Sequence, residues 1–252
     1  MQVYDYLAKT KTEKGGGFFL LLDPDRASRD EILHVAEASA EQGVDVLLVG
    51  TSFMLNTDFH KTVREIKEHT ALPVVIFPGS HSQISPHADA ILFTSLISGR
   101  NSTYLIEEQV KGAPIIKRLG LEAIPTGYML IESGTCTSVQ YISDTRPIPA
   151  NKPDIAAAHA LAAQYLGMKA VFFEAGSGAD RPVPTDMITL AAEYIDIPII
   201  TGGGLNRPAE VAARVAAGAS FVVVGNRLEQ DRNLGLLREF ADAAHPGVKE
   251  RV

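Results

Sequence analysis

Short apolar runs rich in β-branched and aromatic residues recur along the chain, separated by stretches whose apolar residues return every three or four positions. The runs read as strands and the stretches as helices, so their alternation predicts parallel strands joined by crossover helices. Eight strands are predicted, at 18–23, 45–50, 73–77, 90–94, part of 121–131, 170–174, 197–201 and 221–225. Most are apolar throughout rather than alternating, as strands covered on both faces are. Helix starts are equally readable. Ser28 followed by Glu31 forms a capping box, with Ile32, Leu33, Val35, Ala36 and Ala40 as the buried face behind it. Asp154 is expected to cap a helix that runs to Leu166 before Gly167, and Asn206 with Pro208 to open one that stops before Gly218.

Eight such units without a linker predict one α/β domain over residues 1–252, a (β/α)8 barrel of the TIM type. One unit departs from the pattern. Residues 79–86, Gly-Ser-His-Ser-Gln-Ile-Ser-Pro, are few and lack helical spacing, so an irregular segment is expected to replace the third helix. Helical spacing resumes over 101–109, where Tyr104, Leu105 and Val110 are expected to pack in the core, and 135–153 reads as a long loop.

Composition narrows the function classes. The chain is 46% hydrophobic and 21% charged, which suits a large core, and its net charge of -7 disfavours a nucleic-acid partner, whose phosphates need clustered Lys and Arg. One cysteine, Cys136, excludes an internal disulfide framework and fits a reducing compartment. The first 17 residues lack the apolar core of a secretion signal, and no apolar run approaches the roughly 18–20 residues that span a bilayer. A cytoplasmic protein without a membrane span is expected.

Barrel enzymes work at the C-terminal ends of their strands, so polar residues that follow each apolar run are the candidates. They are Asp23-Pro24-Asp25, Gly50-Thr51-Ser52, Glu174-Ala175-Gly176-Ser177-Gly178, Gly202-Gly203-Gly204 and Gly225-Asn226. Glycines let backbone amides approach an anion closely, and three clusters on the last three strands occupy the half-barrel that usually takes phosphate. Any one cluster alone is equally a strand-to-helix turn. Helix N-termini after Gly204 and Asn226 would add favourable dipoles. Asp23 and Asp25 suit a divalent cation, or else simply form a turn. Glu174 interrupts an apolar run beside the glycine loop, where a carboxylate can accept a proton from a substrate hydroxyl or form a structural ion pair. His81 and His87 match no zinc spacing and read as surface histidines.

At these residues the sequence resembles the geranylgeranylglyceryl phosphate synthase family, which includes bacterial heptaprenylglyceryl phosphate synthases. The resemblance covers nearly the whole chain. It is carried by Leu22-Asp23-Pro24-Asp25, Val49-Gly50-Thr51-Ser52, Phe172-Phe173-Glu174-Ala175-Gly176-Ser177-Gly178, Thr201-Gly202-Gly203-Gly204-Leu205 and Val224-Gly225-Asn226-Arg227. It implies a modified barrel without a regular third helix, and a homo-oligomer. The activity it implies is a Mg2+-dependent prenyltransferase that joins sn-glycerol 1-phosphate to a prenyl diphosphate, geranylgeranyl diphosphate being the expected donor. By the same resemblance Asp23 and Ser52 bind metal, Asp23 and Glu174 are catalytic, and Phe172, Phe173, Glu174, Ala175, Gly176, Ser177, Gly178, Gly203, Gly204, Gly225 and Asn226 bind glycerol phosphate. Tyr104 is the candidate wall of a prenyl groove left open by the missing helix. Two positions depart from the family pattern: Gly-Thr-Ser stands where Gly-Gly-Ser is common, and Leu21 where some members carry lysine.

Two other readings share these features. The glycine clusters also resemble phosphate grips in flavin-binding and phosphosugar-converting barrels, for which a yellow protein would speak. A non-catalytic barrel that only binds a phosphorylated ligand needs neither Asp23 nor Glu174.

Overall fold

The computed structural model describes residues 1–55, 58–225 and 234–247. Eight parallel strands close into a barrel in sequence order: β1 Gly17–Leu22, β2 Val46–Val49, β3 Val74–Ile76, β4 Ala90–Leu96, β5 Glu122–Leu130, β6 Ala170–Glu174, β7 Ile199–Gly202 and β8 Phe221–Val224, with β8 pairing back onto β1. Because side chains alternate along a strand, each apolar run feeds two cores. Phe19, Leu48, Val75, Leu92, Ile124, Phe172, Ile200 and Phe221 fill the barrel. Phe18, Leu20, Leu47, Val49 and Val222 face outward against the helices.

The helices are α1 Val3–Lys14, α2 Arg29–Ser39, α3 Phe59–Glu68, α4 Glu108–Leu119, α5 Ser138–Ser143, α6 Pro153–Tyr165, α7 Thr185–Tyr194, α8 Pro208–Ala216 and α9 Leu234–Ala244. The capping box at Ser28 and Glu31 forms, although α2 ends at Ser39 and leaves Ala40 exposed. Two expected caps move by a residue or two. Pro153 opens α6 after Lys152, which puts Asp154 inside the first turn, and Arg207 rather than Asn206 precedes Pro208 in α8.

No helix stands between β3 and β4, where a single 3-10 turn, His81–Gln83, replaces it. The buried side chain of Gln83 holds this segment in place. Its Oε1 accepts from the amides of Thr51 (3.3 Å) and Gly79 (3.2 Å), and its Nε2 donates to the Thr51 carbonyl at 2.8 Å. One side chain thus satisfies backbone groups that a helix would otherwise have paired.

Two elements go beyond the sequence expectation. α1 lies across the N-terminal end of the barrel and sends Val3 and Leu7 into the interior cluster, while Glu122 at the start of β5 accepts its leading amides from Val3 (2.5 Å) and Tyr4 (3.1 Å). The expected loop over 135–153 contains α5 and a parallel bridge between Ile131 and Ile148. Among the described residues no helix is long and apolar enough to cross a membrane.

Candidate active site

The C-terminal ends of the strands surround one elongated cleft of about 200 Å3. At one end stand Ser177, Gly178, Gly203, Gly204 and Gly225, at the centre Asp23, Thr51, Ser52, Tyr128 and Glu174, and toward β3, β4 and α4 the apolar residues Ile84, Ile91, Phe93, Leu96 and Ile116. Glycine loops, carboxylates and an apolar channel therefore share one cavity.

Glu174 ends β6 with its side chain turned inward, and it is only 7% exposed. Burial raises its pKa to about 7, against a partly offsetting hydrogen bond from the Gly176 amide to Oε1 at 2.6 Å. That bond fixes the carboxyl group and leaves the other oxygen for a ligand. A carboxyl group that titrates near neutrality suits reversible proton transfer, and among the described residues no cation pairs with it, which favours the proton-acceptor reading over a structural ion pair.

The glycine loops pack directly on this group. Gly203 has φ +83°, and a Cβ there would lie 2.5 Å from Glu174 Oε1 and 2.5 Å from the Gly176 nitrogen. Gly176, at φ +100°, comes so close to Thr137 that a Cβ would meet its side chain at 2.4 Å. The amides of Asn206 and Arg207 are already taken by Glu210, at 2.8 and 3.1 Å, so the start of α8 is occupied by its own carboxylate. What faces an anion is the glycine backbone itself. Among the described residues no lysine or arginine lines the cleft.

The remaining sites expected from sequence fall unevenly. Phe172 lies beneath the cleft, stacked on Phe77 with centroids 4.9 Å apart, while Phe173 and Ala175 face the helical layer. None of these three lines the cleft. Asn226 lies outside the described residues. Asp23 follows β1 and is buried, which raises its pKa; contacts from the Asp25 amide, Thr51 and Arg26 work in the other direction. Its Oδ1 accepts from Asp25 N at 2.9 Å and its Oδ2 faces Arg26 Nε at 3.4 Å. Asp25 is occupied elsewhere, accepting from the Leu55 amide at 2.9 Å.

Along the channel, Tyr104 is half-buried in a π-helical turn, Thr103–Glu107, that leads into α4. Its neighbours do not pack in the core as expected: Leu105 and Val110 face solvent. His81 is likewise no free surface group, since its Nδ1 lies 2.7 Å from Glu108 Oε2, and this pair walls the channel. Sequence reasoning missed Gly112, whose Cβ would stand 3.0 Å from Ile84 Cδ1. Its signal was a glycine in the middle of a helix, which usually marks close approach of another element.

Comparison with known proteins agrees with this geometry. Residues 8–244 match the PcrB family. The geranylgeranylglyceryl phosphate synthase of Thermococcus kodakarensis is 45% identical over 240 residues, covering 95% of this chain and 94% of that protein. The protein of the same name from Chitinophaga pinensis is 41% identical over 244 residues, covering 97% and 96%. The crystal structure of (S)-3-O-geranylgeranylglyceryl phosphate synthase from Thermoplasma acidophilum, in complex with its substrate sn-glycerol-1-phosphate, superposes with a TM-score of 0.91 at 33% identity, over 97% of this chain and 99% of that one.

Proposed function

Because the chain belongs to the PcrB family, we infer that it is a prenyltransferase that joins sn-glycerol 1-phosphate to geranylgeranyl diphosphate, forming an ether and releasing diphosphate. The observation that carries the reading is the continuity of three chemistries in one cleft: glycine backbone for a phosphate, a buried carboxyl group with a pKa of about 7, and an apolar channel where the third helix is missing.

The chain's own residues divide the work. The loops at Ser177–Gly178 and Gly203–Gly204 hold the phosphate of the acceptor through amides, which places its terminal hydroxyl at Glu174. Glu174 accepts the hydroxyl proton as the oxygen bonds to the allylic carbon and the carbon–diphosphate bond breaks. The channel along β4 and α4 excludes water and aligns the prenyl chain.

Mg2+ is part of this reading. A cleft without lysine or arginine among its described lining residues needs a cation to receive a diphosphate, and Mg2+ binds through one or two carboxylates plus substrate oxygens. Asp23, hydrogen-bonded by the Thr51 side chain and lining the same cleft as Ser52, fits that role. Among the described residues no cluster of three or more His, Cys, Asp or Glu side chains exists, so the donor set suits a metal carried with its substrate. Bound there, Mg2+ would neutralise the charge of the leaving group.

The test is incubation of the protein with sn-glycerol 1-phosphate and C15, C20 and C35 prenyl diphosphates, with mass spectrometry of the products. The expected result is a prenylglyceryl phosphate that disappears with EDTA and returns with Mg2+. No product from any donor would refute the assignment, and EDTA-resistant product would refute the metal.

A further inference from the structure

Glu108 opens α4 where the π-helical turn Thr103–Glu107 ends, on the side of the cleft where no third helix stands. Glu108, Gly112 and Ile116 follow one another at four-residue spacing, so they share one face of α4, and all three line the cleft. Facing them is the 3-10 turn that begins at His81, with Ile84 just after it. A Cβ on Gly112 would meet Ile84 Cδ1 at 3.0 Å and His81 Cβ at 3.7 Å, so the two walls approach closely there.

The walls are also joined by charge. Glu108 Oε2 accepts from the His81 amide at 2.7 Å and lies 2.7 Å from His81 Nδ1, while Oε1 accepts from Lys111 Nζ at 3.0 Å. Burial works to raise the pKa of Glu108, but the hydrogen bonds from the His81 amide and ring and from Lys111 outweigh it and hold the group below the usual carboxylate range. The ionised carboxylate only accepts, so Nδ1 carries the proton. No step of the reaction proposed above uses these groups. A charge on the wall of an apolar channel is costly, and an apolar residue at 108 would continue the face without that cost. What the charge supplies is a bridge to a segment that has no helix of its own.

The π-helical turn needs such a bridge. None of its five residues is fully buried, and Leu105 and Ile106 face solvent. On the barrel side it is tied to β4, where Ser95 Oγ donates to the Leu105 carbonyl at 2.6 Å and Gln109 Nε2 to the Thr94 carbonyl at 2.5 Å. On the other side the tie is Glu108. We propose that the His81–Glu108 bridge is a specificity-determining clasp for the prenyl donor, holding the 3-10 turn against the start of α4 so that the far units of a long chain stay covered. This rests on the donor assigned above. With the clasp open only the β4 side stays fixed, and water reaches a long chain where a short one does not extend.

The test is calorimetry, in the presence of Mg2+, of C10 and C20 prenyl thiodiphosphates, which resist transfer. Wild type is expected to bind the C20 compound more tightly. Glu108→Ala removes all three hydrogen bonds and should lower the ratio of C20 to C10 affinity roughly tenfold, equivalent to about two methylene groups left in water. His81→Ala keeps the amide and lysine contacts and should lower it roughly threefold, and Glu108→Gln, which still accepts from the amide, should fall between wild type and Glu108→Ala. Should Glu108→Ala fail to fold, His81→Ala carries the test, because its ring is 38% exposed. An unchanged ratio in a folded variant would overturn the clasp, as would equal weakening of both thiodiphosphates and of sn-glycerol 1-phosphate, the mark of a structural role alone. Wild type that binds neither thiodiphosphate would overturn it together with the donor assignment. A clasp-dependent C20 preference in a protein that forms no prenylglyceryl phosphate would keep the clasp and remove the reaction.

Discussion

A Cβ at Gly203 would sit 2.5 Å from Glu174 Oε1, so this residue serves the base as well as the phosphate. Its glycine was legible in the sequence as part of a phosphate grip, but its contact with the carboxyl group was not, since that depends on how β6 and β7 are registered. Gly203→Ala must displace Glu174 or the Gly176 amide and also strain a backbone at φ +83°. It should therefore lower kcat as well as raise the KM for glycerol phosphate, each by roughly tenfold or more, where a loss of phosphate binding alone would change only KM. Steady-state kinetics on the folded variant separates the two. Unchanged kcat would show that the glycine serves only the anion. Glu174 and Asp23 were themselves legible, because an acid that ends an apolar strand is conspicuous. Tyr128 was not, since a tyrosine within an apolar strand reads as core.

At the scale of elements, the gap over 79–86 followed from missing periodicity, and the structure shows what it makes room for. The 3-10 turn, β4 and α4 bound the apolar channel, and Gly112 lets α4 approach Ile84. Gly112→Leu should fill the channel there. If it excludes about three carbons of the chain, at about 0.8 kcal/mol per CH2, the loss is on the order of 2–3 kcal/mol, a tens-fold fall in kcat/KM for C20 relative to C10 donors. The same relative kcat/KM in both proteins would place the prenyl chain elsewhere. The exposed outer face at Leu105 and Val110 was misread because apolar residues recur on both sides of this segment, and periodicity alone does not say which side is covered. α5 escaped notice because six residues are too few to show a period.

For the whole molecule, the eight-strand barrel was legible from alternation alone, whereas the closure of its far end was not. There Asp45, just before β2 and fully buried, accepts from Lys14 Nζ (2.5 Å) in the last turn of α1, from Phe18 N (2.8 Å) in β1 and faces His245 Nε2 (2.7 Å) beyond α9. Burial alone would raise the pKa of Asp45, but the hydrogen bonds from His245, Lys14 and Phe18 outweigh it and hold the group below the usual carboxylate range. These partners are some 30 to 200 positions away in sequence, so no local pattern announces them. A carboxylate with a lowered pKa stabilises the fold fully above its unfolded pKa and loses that contribution as pH falls through its folded one. Asp45→Asn should therefore cost about 3 kcal/mol at neutral pH, and the difference from wild type should shrink in acid. Thermal melts from pH 3 to pH 8 would check this, and a constant difference would mean that Asp45 acts by packing rather than by charge. Because the site lies at the opposite end of the barrel, kcat at permissive temperature should not change.

Glu174 as proton acceptor is the claim on which the rest depends, and the pH dependence of kcat/KM for wild type and Glu174→Gln tests it most directly. With a pKa of about 7 in the free protein, kcat/KM should rise with pH toward neutrality and level off above it, as the carboxylate forms. Glutamine can still accept the Gly176 hydrogen bond but cannot take a proton. The variant should lose roughly 10²–10⁴-fold in rate and the rising limb with it. A Glu174→Gln protein within tenfold of wild type that keeps the same limb would contradict the account.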